Sequence, residues 1–195
     1  MRSFVAMAVV LLSSGCVPEL YSAAADQPWS WEAPENSWPL TQPPEGIVGV
    51  GYNVGEIVPD FLLLDQHGDM VSLWQFYGQV ILLDVSTMWC APCQELALTT
   101  EHVYEERVDD GFMYLTVLQQ DVHNEDPDLD DLNEWAEMFE ITAPILADPQ
   151  GQATGPVVQQ NQFPALLIID RDLTVHTRVG QASDAALTAA VDALL

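Results

Sequence analysis

Basic residues are almost missing from this chain. It has no lysine and four arginines against 30 aspartates and glutamates, which gives a formal charge of −26 at pH 7 over 195 residues. Nucleic acids and anionic lipid head groups are recognised through clustered lysine and arginine side chains. The composition therefore argues against a nucleic-acid partner and against membrane binding through charge. Hydrophobic residues make up 49% of the sequence, which is enough for a folded core.

Cysteine is scarce as well, with only Cys16, Cys90 and Cys93. A structural zinc site needs four ligands, and the sequence holds neither a second Cys-x-x-Cys nor a pair of histidines at metal spacing. The acidic segment 121–131 resembles a cation-binding loop in composition, but it lacks the glycine and glutamate positions of an EF-hand. We interpret it as a solvated loop whose acidic residues lead into a helix. No metal and no cofactor are therefore expected.

No apolar run near the N-terminus is long enough to span a bilayer. Phe4 to Leu12 is a short apolar stretch between Arg2 and the small residues Ser13-Ser14-Gly15, a pattern typical of a signal peptide. Small residues directly before Cys16 resemble a bacterial lipobox, although a serine stands where Leu, Val or Ile is preferred. We expect residues 1–16 to export the chain to the bacterial periplasm, with the cysteine lipidated as a membrane anchor. Ordinary cleavage nearby is the alternative.

Residues 17–46 are predicted to form a flexible tether, because six prolines interrupt any helix there. Three tryptophans, Trp29, Trp31 and Trp38, are unusual in a spacer. We favour the interpretation that they lie on the surface of the folded domain and partly order this segment. The alternative is that they contact the membrane interface or a partner. The folded domain is predicted to extend over residues 47–195.

Apolar residues along this domain alternate between strand and helix patterns. The continuous run Val80–Val85 is typical of a strand buried on both faces, and 128–139 has helical spacing with an acidic outer side. The other predicted elements are a hairpin at 61–64 and 70–73, a turn at 74–77, a helix at 92–108, strands at 112–118, 166–170 and 174–179, and a last helix capped by Ser183. This order predicts an α/β fold with a central mixed sheet and helices on both faces.

The most informative motif is Cys90-Ala91-Pro92-Cys93, which follows Trp89 and the predicted buried strand. Two thiols two residues apart can close and open a small disulfide ring. A helix that begins here directs its first N–H groups and the positive end of its dipole at Cys90, which favours the thiolate that attacks disulfides. We expect Cys90 to be exposed and within bonding reach of Cys93. The motif predicts a redox-active dithiol.

Four local features occur in a fixed order: the opening Gly55–Phe61, the motif Trp89–Cys93, Phe163-Pro164 before an apolar strand, and an insertion ahead of that proline with its own strand and helix. Together they resemble the thioredoxin fold, and within it the exported, membrane-tethered thiol-disulfide oxidoreductases related to TlpA and ResA in the redoxin (AhpC/TSA) group. The resemblance covers about residues 55–195. It implies a monomer that exchanges disulfides with protein partners, apocytochromes among them, and that depends on an upstream redox donor.

The resemblance also implies roles for individual residues. Cys90 is the expected nucleophile and Cys93 the resolving thiol. Asp84 stands where a buried aspartate accepts the proton of the second thiol, and a carboxylate at the end of an apolar strand should have a raised pKa. The alternative for Asp84 is a strand end that reaches water. Pro164 is expected to be cis and to leave the backbone beside the dithiol open to a partner.

Neighbouring residues have expected secondary roles. Trp89 should shield the disulfide, and Pro92 should stiffen the first helical turn. Phe163 stands where Thr or Val is more usual, so it should narrow access or favour apolar partners. Thr87, three residues before the first cysteine, supports the alternative of a peroxidase of the peroxiredoxin type. Against it, Leu83 stands four residues before Thr87, where that family is expected to have a proline. A copper chaperone ranks last, because it needs one more residue between the cysteines.

Overall fold

The computed structural model describes residues 30–180 and 184–195. The predictions made for residues 1–16, for Cys16 and Trp29, and for Ser183 as a helix cap lie outside the described residues. Within the described part of the chain, no helix has the length and apolar character needed to cross a membrane.

Seven strands form one mixed sheet with the spatial order β2-β1-β5-β4-β3-β6-β7. β3 lies in the centre and pairs in parallel with β4 and antiparallel with β6. Parallel pairing continues from β4 to β5, and the remaining pairs are antiparallel. The strands are β1 (Leu62–Asp65), β2 (Met70–Ser72), β3 (Val80–Ser86), β4 (Phe112–Leu118), β5 (Ile145–Ala147), β6 (Ala165–Ile169) and β7 (Val175–Val179).

Three α-helices lie among the described residues: α1 (Ala91–Glu105), α2 (Leu129–Phe139) and α3 (Asp184–Asp192). Their buried apolar side chains all belong to one cluster, on the face that carries Leu82 of β3. The opposite face, which carries Leu83, is covered by loops and short 3-10 turns. The three described α-helices therefore cover one face of the sheet. The prediction of helices on both faces holds only if the 3-10 turns are counted as helices. The reason is that β3-α1-β4 and β4-α2-β5 are successive crossovers in one direction, which places both helices on one face.

Most predicted elements lie within two or three residues of the observed ones, and the mixed sheet is confirmed. The strand β4 agrees at both ends, whereas α1 ends at Glu105 instead of continuing to residue 108. β5 is not predicted, because it has only three residues and no alternating pattern. Its pairing with β1 joins the N-terminal hairpin to the central strands.

The segment 31–41, which the sequence assigns to the tether, lies against the domain. Trp38 Nε1 donates a hydrogen bond to Asp65 Oδ2 at 2.6 Å, and its ring stacks on His67 with ring centres 5.5 Å apart. Thr41 N donates to the Gln75 carbonyl at 2.8 Å. The packed part of the chain therefore begins before residue 47.

A second contact links this segment, through Ser72, to the buried carboxylate of Asp60. Trp31 Nε1 donates to Ser72 Oγ at 3.0 Å, and Ser72 Oγ in turn donates to the carboxylate of Asp60, whose oxygens lie 2.8 and 2.9 Å away. Burial raises the pKa of Asp60 to about 6, although hydrogen bonds from the Trp74 backbone and from Ser72 oppose this rise. The interpretation that the tryptophans lie on the domain surface is confirmed for Trp31 and Trp38.

The Trp38–Asp65 bond gives a stability prediction. Replacing Trp38→Phe removes one hydrogen bond to a fully buried carboxylate, and we expect the free energy of unfolding to fall by about 2 kcal/mol, since bonds to charged groups are the stronger ones. Trp89→Phe is the matched control, because its indole also donates one bond, but at an exposed position. We expect that variant to lose less than about 0.5 kcal/mol. Urea unfolding of both variants measures the difference, and equal losses would contradict the prediction.

Candidate active site

Cys90 and Cys93 form a disulfide at the junction of β3 and α1, with their Cα atoms 5.2 Å apart. Cys90 is the N-cap residue of α1, and its Sγ accepts a hydrogen bond from the Cys93 backbone N–H at 3.3 Å. The first turn of α1 contains Pro92 and no acidic residue. The first backbone N–H groups and the helix dipole therefore act on Cys90, and they would stabilise its thiolate in the reduced protein.

The exposure of the pair differs from the expectation. Cys90 is 5% exposed and Cys93 1% exposed, so Cys90 is much less accessible than the sequence predicts. Both sulfurs lie in the apolar cluster beneath α1, and the aromatic ring of Phe163 packs against the same cluster. Cys90 therefore keeps a small exposed surface, while Cys93 is almost completely enclosed.

Two aromatic rings lie beside the disulfide. Trp89 and Phe163 meet edge to face with ring centres 5.9 Å apart, and Trp89 remains 43% exposed. The Trp89 indole N–H donates to Gln120 Oε1 at 3.0 Å, which holds the ring towards the end of β4. The sequence gives no signal for Gln120, because only the fold brings it to residue 89. The aromatic pair offers an apolar contact surface next to the disulfide.

The Phe163–Pro164 peptide bond is cis, as the resemblance implies. Val85 pairs with Ala165 in the antiparallel β3–β6 ladder, so Pro164 comes next to the end of β3 from which the cysteine motif departs. Proline has no N–H group, so Pro164 cannot donate a backbone hydrogen bond at this position.

Asp84 lies in β3 and is 3% exposed, which excludes the alternative of a strand end that reaches water. Leu82, two residues earlier, belongs to the cluster that contains both cysteines, so the alternation along β3 directs Asp84 to the same face. Ser86 Oγ donates to Asp84 Oδ1 at 2.6 Å, and Tyr114 OH donates to Oδ2 at 3.3 Å. Burial raises the pKa of Asp84 to about 6, and these two hydrogen bonds oppose the rise. The sequence analysis did not identify either donor.

Thr87 is fully buried, and its carbonyl oxygen accepts the Cys90 N–H at 3.3 Å. Its hydroxyl has no hydrogen-bond partner among the described residues. Thr87 therefore shapes the turn before the disulfide through its backbone. Leu83 lies in the core on the opposite face of the sheet.

The acidic segment 121–131 forms a loop that leads into α2. Asp121 Oδ1 accepts hydrogen bonds from the backbone of His123 and Glu125, and Asp128 caps α2. Within residues 30–180 and 184–195, no group of three or more metal-ligating side chains is found. Asp121 and Asp128 thus bind backbone N–H groups of their own segment.

The buried carboxylate gives a pH prediction. Because the pKa of Asp84 in the folded protein is about 6 against 3.8 in the unfolded chain, its contribution favours folding at low pH and is lost as the pH rises through 6. Asp84→Asn removes this penalty, so it should raise the free energy of unfolding at pH 7 by up to roughly 3 kcal/mol. The gain should vanish near pH 4.

Asp109→Asn is the matched control, because it removes one negative charge at an exposed position. Urea unfolding from pH 4 to pH 8 distinguishes burial from simple charge repulsion. If Asp109→Asn stabilises the protein as much as Asp84→Asn does, the burial explanation is wrong.

The chain is similar to several known proteins. A model of the AhpC/TSA family matches residues 54–178. The thioredoxin-like protein YneN of Bacillus subtilis is 28% identical over 102 residues, which are 52% of this chain and 58% of that protein. The chain therefore matches little more than half the length of that relative.

Solved structures agree with the fold. The thioredoxin domain of a thiol-disulfide oxidoreductase from Bacteroides vulgatus has a TM-score of 0.61 at 18% identity, covering 73% of this chain and 98% of that one. A thiol:disulfide interchange protein of the thioredoxin family from Chlorobium tepidum TLS has a TM-score of 0.60 at 16% identity, with coverages of 75% and 99%. A secreted disulfide oxidoreductase from Mycobacterium tuberculosis has a TM-score of 0.57 at 20% identity, with coverages of 69% and 96%.

At these identities the solved structures establish the thioredoxin-like fold alone. The family match goes further, because it covers well over half of the chain and includes β3, the disulfide, the cis-proline and nearly all of β7. The chain belongs to the AhpC/TSA family.

Proposed function

We propose that this protein is a thiol-disulfide oxidoreductase that exchanges the Cys90–Cys93 pair with protein partners. The observation that carries the proposal is a disulfide whose first sulfur caps a helix and whose second lies buried behind it, next to a cis-proline. This arrangement separates an attacking sulfur from a resolving one. The disulfide exchange proteins that share the fold support the same conclusion.

The exchange proceeds in two displacements. In the reducing direction, the Cys90 thiolate attacks a sulfur of the partner disulfide, which forms a mixed disulfide and releases one partner thiolate. Cys93 then loses its proton and attacks Cys90 Sγ, so that the Cys90–Cys93 bond forms and the second partner sulfur leaves as a thiolate. The partner gains two electrons, and an upstream dithiol donor returns the pair to the reduced state. The oxidising direction is the reverse of these steps.

Asp84 is the proposed acceptor for the Cys93 proton. It lies on the same sheet face as the cysteines, and a pKa of about 6 leaves it ionised at neutral pH yet able to bind a proton. Phe163 and Trp89 are the proposed contacts for an apolar part of the partner, which favours unfolded or extended segments over charged surfaces. Apocytochromes with exposed cysteines remain one candidate substrate.

The proposed exchange is tested by catalysed reduction of insulin disulfides with dithiothreitol. We expect Cys90→Ser to lose catalysis completely, because the attacking sulfur is gone. Cys16→Ser is the matched control, since it removes the third cysteine and should leave the rate unchanged. If the wild-type chain instead consumes peroxide rapidly and accumulates a sulfenate at Cys90, the peroxidase alternative replaces this proposal.

Partners can be captured with a resolving-cysteine variant. Cys93→Ala should stall the reaction at the mixed disulfide, so that protein partners accumulate as adducts that reductant releases. Cys90→Ala combined with Cys93→Ala is the control, and it should capture none. If Cys93→Ala captures no protein while its Cys90 still reacts with an alkylating reagent, protein substrates are the wrong class.

We also propose that the chain is exported and anchored by lipid at Cys16, as the pattern of residues 1–16 indicates. The secreted protein from Mycobacterium tuberculosis that shares the fold supports export. In a bacterial host, the full chain should sediment with membranes, and Cys16→Ser should move it to the soluble fraction of the envelope. Equal distribution of the two proteins would contradict the anchor.

A further inference from the structure

A small group of polar side chains is buried in the apolar face beneath α1. Asp84 and Ser86 come from β3, and Tyr114 comes from the neighbouring β4. Each carboxylate oxygen of Asp84 has its own donor: the Ser86 hydroxyl lies 2.6 Å from Oδ1, and the Tyr114 hydroxyl lies 3.3 Å from Oδ2. Ser86 and Tyr114 are fully buried, so water does not replace these donors.

The remaining surroundings of Asp84 are apolar or uncharged. In the β3–β6 ladder Asp84 pairs with Leu166, and α3 contributes Leu187 and Val191 to the same apolar cluster. The titratable side chains in or against the cluster are Cys90, which caps α1, Cys93 and Tyr104 of α1, and Tyr114 of β4. Among the described residues, no charged side chain contributes to the shift of the Asp84 pKa.

A carboxylate in such surroundings is stabilised only by hydrogen bonds. Donors that point at the ionised form favour it, whereas the apolar surroundings favour the protonated form. A carboxylic acid that already holds its proton cannot accept one from a thiol. The two hydroxyls therefore lower the pH above which Asp84 can act, against the opposing effect of burial.

We propose that Ser86 and Tyr114 are positioning residues for thiol-disulfide exchange: their hydroxyl groups hold Asp84 as an ionised acceptor that takes the proton of Cys93. The inference rests on the proposed function and adds residues to it. In the resolving step, the Cys93 S–H bond breaks and its proton moves to Asp84. The Cys93 sulfur then bonds to Cys90 Sγ, and the bond from Cys90 to the partner sulfur breaks.

The test uses the full chain and measures two quantities from pH 5 to pH 9. The first is the rate of partner-thiol release from a preformed mixed disulfide between Cys90 and a small aromatic thiol. The second is the titration of the Asp84 carboxyl carbon by NMR in the oxidised protein, with Asp84→Asn used to assign the signal. We expect Ser86→Ala to move both midpoints upward by about one pH unit, since it removes one bond to a charged group.

At pH 6 the release rate of Ser86→Ala should therefore fall roughly five- to tenfold, and above pH 8 it should approach that of the wild type. Tyr114→Phe should act in the same direction with a smaller shift, because its bond is longer. The reactivity of Cys90 towards the aromatic disulfide should not change, since that step does not involve Asp84.

Thr116→Val is the matched control. Thr116 pairs with Asp84 across the β3–β4 ladder, and its buried hydroxyl makes no hydrogen bond among the described residues. Its replacement should leave both midpoints unchanged. If Ser86→Ala titrates like Thr116→Val in a protein that still exchanges disulfides, the inference is overturned. If the wild-type chain releases no thiol at any pH, the proposed function itself fails, and the NMR titration still tests whether Ser86 acts on Asp84.

Discussion

The pairing of β3 on both of its edges is the constraint on which the rest of the structure depends. β3 is buried along its whole length, with β4 in parallel register on one side and β6 antiparallel on the other. The parallel register pairs Tyr114 with Leu82, from where its hydroxyl reaches Asp84, and the antiparallel register brings Pro164 to the end of β3. A slip of one residue would turn Asp84 to the opposite face and separate it from the dithiol. The reactive group and its surroundings are therefore fixed by backbone pairing.

The charge of the chain has little direct influence on this site. A formal charge of −26 would oppose a thiolate, yet the first turn of α1 carries no acidic residue and places backbone N–H groups at Cys90. Charges on the solvated surface are screened beyond about 10 Å, whereas the helix terminus acts at hydrogen-bonding distance. Asp60 and Asp84, whose pKa values are each raised to about 6, are buried and bound by hydroxyl or backbone donors. Burial, more than net charge, sets the pKa values of these two carboxyl groups.

The segment 31–41 joins the folded domain to the part of the chain that precedes it. It lies beside the N-terminal hairpin, and Thr41 pairs with Phe76 in an isolated bridge. The contacts of Trp31 and Trp38 hold the segment against the edge of the sheet formed by β2 and β1. An exposed edge strand invites pairing with other chains, and a docked segment reduces that exposure.

The sequence alone determined the reactive motif and the order of the elements around it. Cys90, Cys93, Pro164 and the buried strand before them are recognisable because they depend on spacing within short segments, where local chemistry decides the structure. The sequence could not reveal that Cys90 is nearly buried, that β5 exists, or that all three described helices share one face. It also gave no signal for the Tyr114, Ser86 and Gln120 contacts, since these require residues distant in the chain to meet. Only the tertiary structure decided them, because strand register and crossover direction are properties of the assembled sheet and not of any single segment.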